Sequence, residues 1–235
     1  MRVLVTGGSG LLGEHLINAL NSIPHMEHYA PSSLALDVTS LTSCVRAVRE
    51  YKPDVVVHAA AVAKYRDVED NISNAIRTNV VGTCNILHAC ILLENTRLVY
   101  ISSDHVFDGT SGLYDTNDKI NPLTSYAKTK AAGELSVQTY DNSLVIRTSF
   151  CPVEFPFDTA YTDKWTSQDY VDKIAPMIID KAIGSTTGTC NVGHERRSFY
   201  ELAKERNLDI KSGSVKDIIK TSKVPILIDT SLIVS

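Results

Sequence analysis

Residues 3–16 read VLVTGGSGLLGEHL, an apolar run that breaks into glycines and continues with helical spacing. The pattern predicts a buried strand at 2–6 and a helix at 11–22. The glycines between them have the spacing G-x-x-G-x-x-G, starting at Gly7. Such glycines let the backbone approach a pyrophosphate, whose charge is met by N–H groups at the helix N-terminus. The stretch predicts a dinucleotide site; the alternative is a glycine-rich turn that only packs the helix on the strand.

Apolar runs alternate with helical patterns through the first 150 residues. Further strands are predicted at 54–60, 97–103 and 143–149, and further helices at 43–51, 69–94 and 124–140. Continuous apolar strands joined by helical crossovers are typical of a parallel sheet that is covered on both faces. The predicted fold class is therefore α/β, a doubly wound parallel sheet of the Rossmann type.

After residue 150 the pattern changes, and we expect a small, shortened C-terminal substrate-binding region at 151–235, interwoven with an NAD(P)-binding domain at 1–150. Residues 151–167 show no period and predict a loop. Beyond this loop, helices are predicted at 168–183 and 198–206, and strands at 189–193 and 225–229.

Composition excludes several classes of function. A net charge of −4 without a basic run argues against a nucleic-acid partner. The apolar run at the N-terminus is too short for a signal peptide, and no stretch approaches the roughly 20 apolar residues that cross a bilayer. The five cysteines, at 44, 84, 90, 151 and 190, lack metal-ligand spacing. We expect a cytoplasmic protein with reduced thiols, no metal and no membrane partner.

Two features that follow the glycine loop in the sequence are consistent with a dinucleotide-binding site. Asp37 follows a short apolar segment, where a carboxylate can accept from an adenine amino group, and the small residues around His58 leave room for ribose and adenine. The region that often carries an acid for the ribose 2′-hydroxyl reads HYAPSSLA, at 28–35, with neither acid nor Arg. Ser32 and Ser33 can bond a hydroxyl or a 2′-phosphate. We expect NADP(H) or NAD(H), with a slight preference for NADP(H).

A Tyr and a Lys lie one helical turn apart in NPLTSYAKTKAAGE, at Tyr126 and Lys130. The positive charge of a lysine on the same helix face stabilises the ionised form of the tyrosine. We therefore expect Lys130 to lower the pKa of Tyr126 toward the working range for acid–base catalysis. Ser103 ends a predicted strand, at the sheet edge where ligands bind in open α/β folds. The Tyr–Lys spacing recurs at Tyr200 and Lys204 without such surroundings, and we expect that copy to be structural.

The motifs TGGSGLLG, HAAA, ISSDHVFDG, YAKTK and LVIRTSF, in this order, resemble the extended short-chain dehydrogenase/reductase family, within it most nearly the dTDP-4-dehydrorhamnose reductases. In such enzymes NAD(P)H gives hydride to a 4-keto nucleotide sugar while the Tyr donates a proton. The resemblance implies a catalytic triad of Ser103, Tyr126 and Lys130. Together with His58, the residues expected to line the cofactor are Gly7, Gly10, Leu11, Leu12, Asp37, Val38, Ala59, Ala60, Asn79, Tyr126, Lys130 and Thr148. The residues expected to meet the substrate are Ser103, Asp104, His105, Ser149 and Phe150.

Differences between this sequence and the family motifs help to distinguish among the activities found in related proteins. Sugar-nucleotide dehydratases follow the Ser/Thr with Asp-Glu, whereas this chain has Asp104 and His105, so dehydration is disfavoured. A sugar-nucleotide 4-epimerase stays open, as does a non-catalytic regulatory subunit resembling the methionine adenosyltransferase β subunit. The resemblance also implies a possible homodimer, in which helices 69–94 and 124–140 pair with their copies as a four-helix bundle.

Overall fold

A six-stranded parallel sheet forms the centre of the fold in the computed structural model, which describes residues 1–93, 96–219, 221–222 and 224–234. The strands of the chain are β1 (Arg2–Thr6), β2 (Glu27–Tyr29), β3 (Val55–His58), β4 (Arg97–Ile101), β5 (Ser143–Thr148), β6 (Phe150–Cys151), β7 (Thr159–Tyr161), β8 (Trp165–Thr166), β9 (Asp169–Tyr170), β10 (Gly188–Val192), β11 (Arg197–Ser198) and β12 (Lys211–Gly213). The central sheet has the order β10-β5-β4-β3-β1-β2 with all neighbours parallel. The predicted doubly wound α/β fold is confirmed.

Helices cover both faces of this sheet. They are α1 (Leu11–Asn21), α2 (Leu41–Tyr51), α3 (Tyr65–Asp70), α4 (Ile72–Ala75), α5 (Gly82–Leu92), α6 (Ser125–Val137), α7 (Val171–Ile183) and α8 (Phe199–Lys204), and a π-helical turn, Ile76–Val81, joins α4 to α5. Side chains alternate along each strand, so Val3 and Val5 pack toward α1 and α7 while Leu4 packs toward α2 and α5. Two apolar layers therefore enclose the sheet.

The chain leaves β1 in one direction to form β2 and then crosses to β3 on the other side of β1. Such a reversal of strand order opens a crevice outside the carboxyl ends of the two strands, where doubly wound folds bind their ligands. Gly7, which follows β1, and Ala59, which follows β3, lie at this crevice. The fold thus positions the glycine turn at the expected ligand edge.

The sequence pattern misses one strand of the central sheet. The residues of β2, EHY, are mostly polar and too few to show a period. Backbone pairing with β1 at the sheet edge holds them in place. A three-residue edge strand is defined by its neighbour rather than by its own side chains.

The helix predicted at 69–94 begins earlier and is interrupted. The break lies at Asn71, which has φ −146° and ψ 73°. Its side chain accepts a hydrogen bond from the N–H of Asn74 at 3.0 Å and so caps the next helical segment. The predicted last residue of this helix, 94, lies outside the described residues.

The helical stretch Ile72–Leu92 is long and apolar enough to cross a membrane by length and composition alone, with 44% of its most apolar part buried within the fold. Core helices of globular proteins meet the same criteria, so this is weak evidence for a membrane span. No cluster of three or more His, Cys, Asp or Glu side chains that could hold a metal ion occurs in the described part of the chain.

In the C-terminal part, the helices predicted at 168–183 and 198–206 correspond to α7 and α8, and the strand predicted at 189–193 corresponds to β10. The loop predicted at 151–167 contains short strands that pair with distant segments, β6 with β9, β7 with β12 and β8 with β11. The strand predicted at 225–229 is wrong. Only Asp229 in this segment forms an isolated bridge, to Trp165, because β8 is two residues long and too short for a longer ladder.

Candidate active site

A cavity of about 910 Å³ opens at the carboxyl edge of the central sheet. Thirteen of the residues that the sequence marked as site candidates lie on its wall, namely Gly7, Gly10, Leu11, Leu12, Ala59, Ser103, Asp104, His105, Tyr126, Lys130, Thr148, Ser149 and Phe150. They come from the ends of β1, β3, β4 and β5 and from the starts of α1 and α6. The fold therefore brings the glycine turn and the Tyr–Lys pair into one space.

The glycine turn leaves backbone N–H groups available to a ligand. Gly7 has φ +73°, and a Cβ there would lie 2.8 Å from the backbone of Ala60. Gly10 begins α1 without a side-chain cap, and its own N–H donates to the Gly7 carbonyl at 3.0 Å. The first N–H groups of a helix have no intrahelical acceptor. This backbone cradle, which only glycine permits, fits the pyrophosphate of a dinucleotide.

Tyr126 and Lys130 lie on the first turns of α6. The hydroxyl of Thr124 accepts a hydrogen bond from the N–H of Ala127 at 3.2 Å and so caps the helix. Lys130 is buried, with its Nζ 4.2 Å from the centre of the Tyr100 ring. The Tyr100 hydroxyl donates to the Lys130 carbonyl at 3.1 Å, which fixes this turn of the helix against β4.

Burial controls the charge of both side chains. It raises the pKa of Tyr126 to about 12, while a hydrogen bond with Ser103 lowers it in part and the charge of Asp104 raises it. Burial also lowers the pKa of Lys130 to about 7, against the opposite effect of Glu134. The expectation that Lys130 lowers the pKa of Tyr126 is wrong for this structure, because desolvation of the phenol outweighs other influences. At neutral pH Tyr126 holds its proton.

The turn after β4 carries Ser103, Asp104 and His105. The Ser103 hydroxyl accepts from the His105 N–H and donates to Asp104 Oδ1, both at 3.2 Å. Asp104 is buried, and its Oδ2 accepts from the Thr230 hydroxyl at 2.7 Å. The His105 ring meets the Tyr126 ring edge-on, with 6.3 Å between the centroids. Hydroxyl, carboxylate and imidazole thus surround the phenol.

Five predicted cofactor residues lie off the cavity wall, namely Asp37, Val38, His58, Ala60 and Asn79. Asp37 is exposed, and its carboxylate accepts from the N–H and hydroxyl of Thr39. Val38 is buried in the core beside α2 and α5. His58 bonds Thr6 at 2.7 Å and Thr83 at 3.1 Å, and burial lowers its pKa to about 3, with a smaller contribution from Lys130. His58 is a satisfied core histidine.

Asn79 braces the cavity wall from behind. It lies in the π-helical turn, where its carboxamide accepts from the Val62 N–H at 2.8 Å and donates to the Val62 carbonyl at 3.0 Å. Its amide nitrogen also donates to the Thr129 hydroxyl at 2.9 Å, and Thr129 donates to the Tyr126 carbonyl. Asn79 therefore ties the wall segment after β3 to the turn that bears Tyr126.

Several wall residues were not predicted. They are Val62, Ala63, Lys64, Asp67, Asn71, Asn74, Ile101 and Gln168, whereas Gly13, Ala61 and Ser102 belong to the motifs TGGSGLLG, HAAA and ISSDHVFDG. Residues 62–64 follow the HAAA motif directly, so the motif offered a signal for them. No sequence signal pointed to Gln168. Its side chain lies on the wall because it donates a hydrogen bond at 3.2 Å to the hydroxyl of Ser149, which is 19 positions earlier in the chain.

A second cavity, of about 360 Å³, adjoins the first and shares Ala63, His105 and Tyr126 with it. The rest of its lining consists of Tyr65, Thr124, Tyr161, Lys164, Ile218, Ser222 and the aliphatic segment at 224–227. Burial lowers the pKa of Lys164, against the effect of Asp104. The second Tyr–Lys pair lies on neither cavity wall: Lys204 Nζ is 5.5 Å from the centre of the Tyr200 ring, which packs on the small core under α8.

Residues 1–152 match the family described as RmlD substrate binding domain. Among curated proteins, the chain is 35% identical over 151 residues to dTDP-4-dehydrorhamnose reductase from Aggregatibacter actinomycetemcomitans, covering 63% of this chain and 51% of that protein. It is 33% identical over 236 residues to methionine adenosyltransferase 2 subunit beta from Bos taurus, covering 86% of this chain and 70% of that protein.

A crystal structure of dTDP-4-dehydrorhamnose reductase from Bacillus anthracis str. Ames in complex with NADP superposes with a TM-score of 0.87 and 25% identity, covering all of this chain and 90% of that one. The chain spans about half the length of the curated reductases it matches. The family match covers the strands, the glycine turn and the Tyr–Lys helix that form the cavity. The chain therefore belongs to the RmlD substrate-binding domain family.

Proposed function

We propose that the protein is an NAD(P)H-dependent reductase of the 4-keto group of a nucleotide-linked 6-deoxy sugar, as its reductase relatives are named. One observation carries this proposal: Ser103, Tyr126 and Lys130 share a cavity wall with the glycine turn of Gly7 and Gly10. A dinucleotide on the glycine turn would extend along this wall toward the Tyr126 hydroxyl. The arrangement supports hydride transfer beside a proton donor.

The residues that would hold the dinucleotide are the wall residues Gly7, Gly10, Leu11, Leu12, Ala59, Tyr126, Lys130 and Thr148. When bound, NAD(P)H supplies the hydride. No acidic side chain stands in the segment directly after β2, at 30–35, which removes a repulsion against a 2′-phosphate. This absence supports the preference for NADP(H) over NAD(H).

The chain's own residues handle the carbonyl oxygen and the proton. The hydroxyls of Ser103 and Tyr126 would hold the carbonyl, and Tyr126 would donate its proton to the oxygen. Its raised pKa keeps that proton in place at neutral pH. The phenolate that remains needs a nearby positive charge, which protonated Lys130 supplies one helical turn away.

The second cavity supports binding of the nucleotide part of the substrate. Tyr65 and Tyr161 offer aromatic surface to a base, and Lys164 offers a positive charge to a diphosphate. His105 and Tyr126 line both cavities and so join this region to the reaction centre. We assign cofactor binding to residues 1–150 and, because Tyr161 and Lys164 belong to it, a small substrate-binding region to 151–235, interwoven with the first.

The test supplies the purified protein with NADPH or NADH and with dTDP- or UDP-4-keto-6-deoxyglucose, and follows loss of absorbance of the reduced cofactor. The wild type is expected to consume it, and Tyr126→Phe is expected to abolish turnover while still binding the dinucleotide. Tyr200→Phe is the matched control, because Tyr200 has the same spacing to a lysine but lies on neither cavity wall. Equal activity of the two variants contradicts the assignment of Tyr126.

A non-catalytic, dinucleotide-binding regulatory subunit is the second candidate. The identity to methionine adenosyltransferase 2 subunit beta, which extends over 86% of this chain, favours it. A protein that binds the dinucleotide tightly and turns over no keto sugar supports this candidate. A sugar-nucleotide 4-epimerase is recognised by turnover without net consumption of reduced cofactor.

A homodimer through the helices at 72–92 and 125–137 completes the proposal. Their outer faces expose Ile72, Ile76, Val81 and Leu135, each more than two-fifths accessible. Apolar side chains in such a row favour association with a second copy. Light scattering of the wild type and of an Ile76→Glu/Leu135→Glu variant is expected to show a dimer and a monomer respectively.

A further inference from the structure

A buried polar network extends from the cavity wall into the core directly behind it. It consists of Ser102, Glu134 and Arg147, which we call the buried network. Ser102 is itself a wall residue, Arg147 precedes the wall residue Thr148, and Glu134 follows the wall residue Lys130 by one helical turn. The buried network therefore connects the three elements that present the reaction centre, β4, β5 and α6.

Glu134 is the centre of this network and is fully buried. Its Oε1 accepts from Arg147 Nη2 at 2.7 Å and Nε at 3.1 Å, and its Oε2 accepts from the Ser102 hydroxyl at 2.7 Å. Gln138 Nε2 donates to Oε1 at 3.4 Å. Four hydrogen bonds from three residues hold this buried carboxylate in one place.

Arg147 is also held on several sides. Its Nη1 donates to the Thr116 carbonyl at 3.0 Å, and its guanidinium lies 4.9 Å from the centre of the Phe107 ring. The arginine is 3% exposed. Its fork therefore keeps the Glu134 carboxylate from turning away from the helix.

The groups that act on Lys130 are His58 at the end of β3, Tyr100 on β4 and Glu134 on α6, and Tyr126 lies one helical turn before it. His58, Tyr100 and Tyr126 are neutral at pH 7, because burial moves each pKa away from the charged form. Among the described residues, Glu134 is the one group whose charge raises the pKa of Lys130. The lysine thus depends on this carboxylate.

We propose that Glu134 is a positioning residue for the reaction centre: its carboxylate keeps Lys130 protonated and, through Ser102 and Arg147, holds the ends of β4 and β5 in register behind the wall. The proposal deepens the proposed function and rests on it for the role of Lys130. With Glu134 neutral, Lys130 loses its proton at a lower pH, and the phenolate of Tyr126 loses its support.

The first experiment reads the charge of Lys130 without turnover. Trace acetylation of the unliganded protein with acetic anhydride is measured across pH by peptide mass spectrometry, since only the neutral amine reacts. Glu134→Gln is expected to lower the midpoint for Lys130 by about one pH unit or more. Lys128, exposed on the same helix, is the internal reference and is expected to keep its midpoint.

Two further variants separate the effect of the Glu134 charge on Lys130 from the effect of the side-chain contacts around Glu134. Gln138→Ala removes the longest contact to the same carboxylate and leaves its charge, so the Lys130 midpoint and the basal activity are expected to stay as in the wild type. Glu134→Gln/Arg147→Met removes both buried charges and avoids leaving the arginine unpaired. The double variant is expected to fold and to show the lowered Lys130 midpoint.

An unchanged Lys130 midpoint in a folded Glu134 variant overturns the proposal. Failure of both Glu134 variants to fold also overturns the proposal, because Glu134 and Arg147 are then required for folding rather than for positioning the reaction centre. Where the keto sugar is turned over, the alkaline limb of kcat/KM is expected to move down with the labelling midpoint. Loss of turnover in the wild type contradicts the proposed function, while the labelling shift still decides the role of Glu134.

Discussion

At the scale of single residues, desolvation sets the charges around the cavity. Tyr126 and Lys130 have pKa values shifted in opposite directions by the same cause, because burial penalises whichever form is charged. The result is a phenol that holds its proton and an amine close to its titration midpoint at neutral pH. A proton donor paired with a lysine of adjustable charge is suited to reducing a carbonyl.

Replacement of this lysine by Met is expected to stabilise the fold while abolishing activity. Below pH 7 Lys130 is charged in both the folded and unfolded states. Between pH 7 and about 10.5 the unfolded chain binds the proton that the folded protein has lost, so the wild-type free energy of unfolding rises, by about 1.4 kcal/mol per pH unit for one proton. The gain in free energy of unfolding from Lys130→Met is therefore largest below pH 7 and becomes smaller as the pH rises.

Urea unfolding of the wild type and Lys130→Met at several pH values measures this difference. The quantity to compare is the free energy of unfolding of the variant minus that of the wild type, because other titrating groups cancel. A difference that stays constant from pH 6 to pH 10 contradicts a lowered folded-state pKa for Lys130.

Gly7→Ala tests the backbone cradle. A non-glycine residue at φ +73° costs about 1–2 kcal/mol, and here the new methyl would also lie 2.8 Å from the backbone of Ala60. Gly188→Ala is the matched control, because Gly188 has φ +84° and a methyl group there would have nothing within 4 Å. Both variants lose stability, but only Gly7→Ala is expected to weaken NADPH binding, by about tenfold or more, in a fluorescence titration.

At the scale of elements, the start of α6 decides where the phenol and the amine point. The Thr124 cap fixes the first turn of this helix, and Ser40 caps α2 in the same way, accepting from the Ser43 N–H. Loss of either cap costs about 1 kcal/mol. The two caps differ in the helix that each one begins: α6 carries Tyr126, whereas α2 carries no residue of the cavity wall.

Thr124→Ala and Ser40→Ala are therefore expected to lower the free energy of unfolding by similar amounts, about 1 kcal/mol each. Only Thr124→Ala is expected to lower kcat, because fraying of the first turn moves the Tyr126 hydroxyl. Thr124→Ser retains the cap oxygen and is expected to restore both values. Denaturant titration and steady-state kinetics check this, and a kcat loss in Ser40→Ala argues against it.

At the scale of the whole molecule, the segment 229–233 closes the site from a distance. Thr230 bonds Asp104 across 126 positions of sequence, and Ser231 accepts from the Leu113 N–H at 2.8 Å. Ser167, beside the wall residue Gln168, exchanges hydrogen bonds with Leu232 at 2.9 and 3.0 Å. The turn that carries Ser103 is therefore supported by the last part of the described chain.

Thr230→Val tests that support while keeping the side-chain shape. Loss of the hydroxyl leaves Asp104 Oδ2 without its donor and costs about 1 kcal/mol. Thr96→Val is the control: Thr96 is equally buried and donates to the Pro53 carbonyl at 3.1 Å, far from the cavity. Both variants lose stability in thermal unfolding, and only Thr230→Val is expected to reduce kcat, by about tenfold. Equal kcat values in the two variants contradict a link between this segment and the site.

Most of the sheet and half of the site could be predicted because their signals are local. Strand and helix periods repeat within a few residues, the glycine turn is contiguous, and Tyr126 and Lys130 are one helical turn apart. The short edge strand β2 and the pairing of β6 to β9 could not be predicted, since each depends on a partner many residues away. The break at Asn71 was missed although its cap is local, because the apolar period continues through it.

The sequence by itself determined the doubly wound order of elements, the dinucleotide turn and the identity of the Tyr–Lys helix. Only the tertiary structure decided that His58 and Asn79 brace the wall rather than line it, and that Arg147 meets the Glu134 carboxylate behind the reaction centre. It also reversed the expected direction of the Tyr126 pKa shift. The physical reason is the same in each case: burial and charge proximity arise from segments brought together by folding, and the residues nearest in sequence do not carry them.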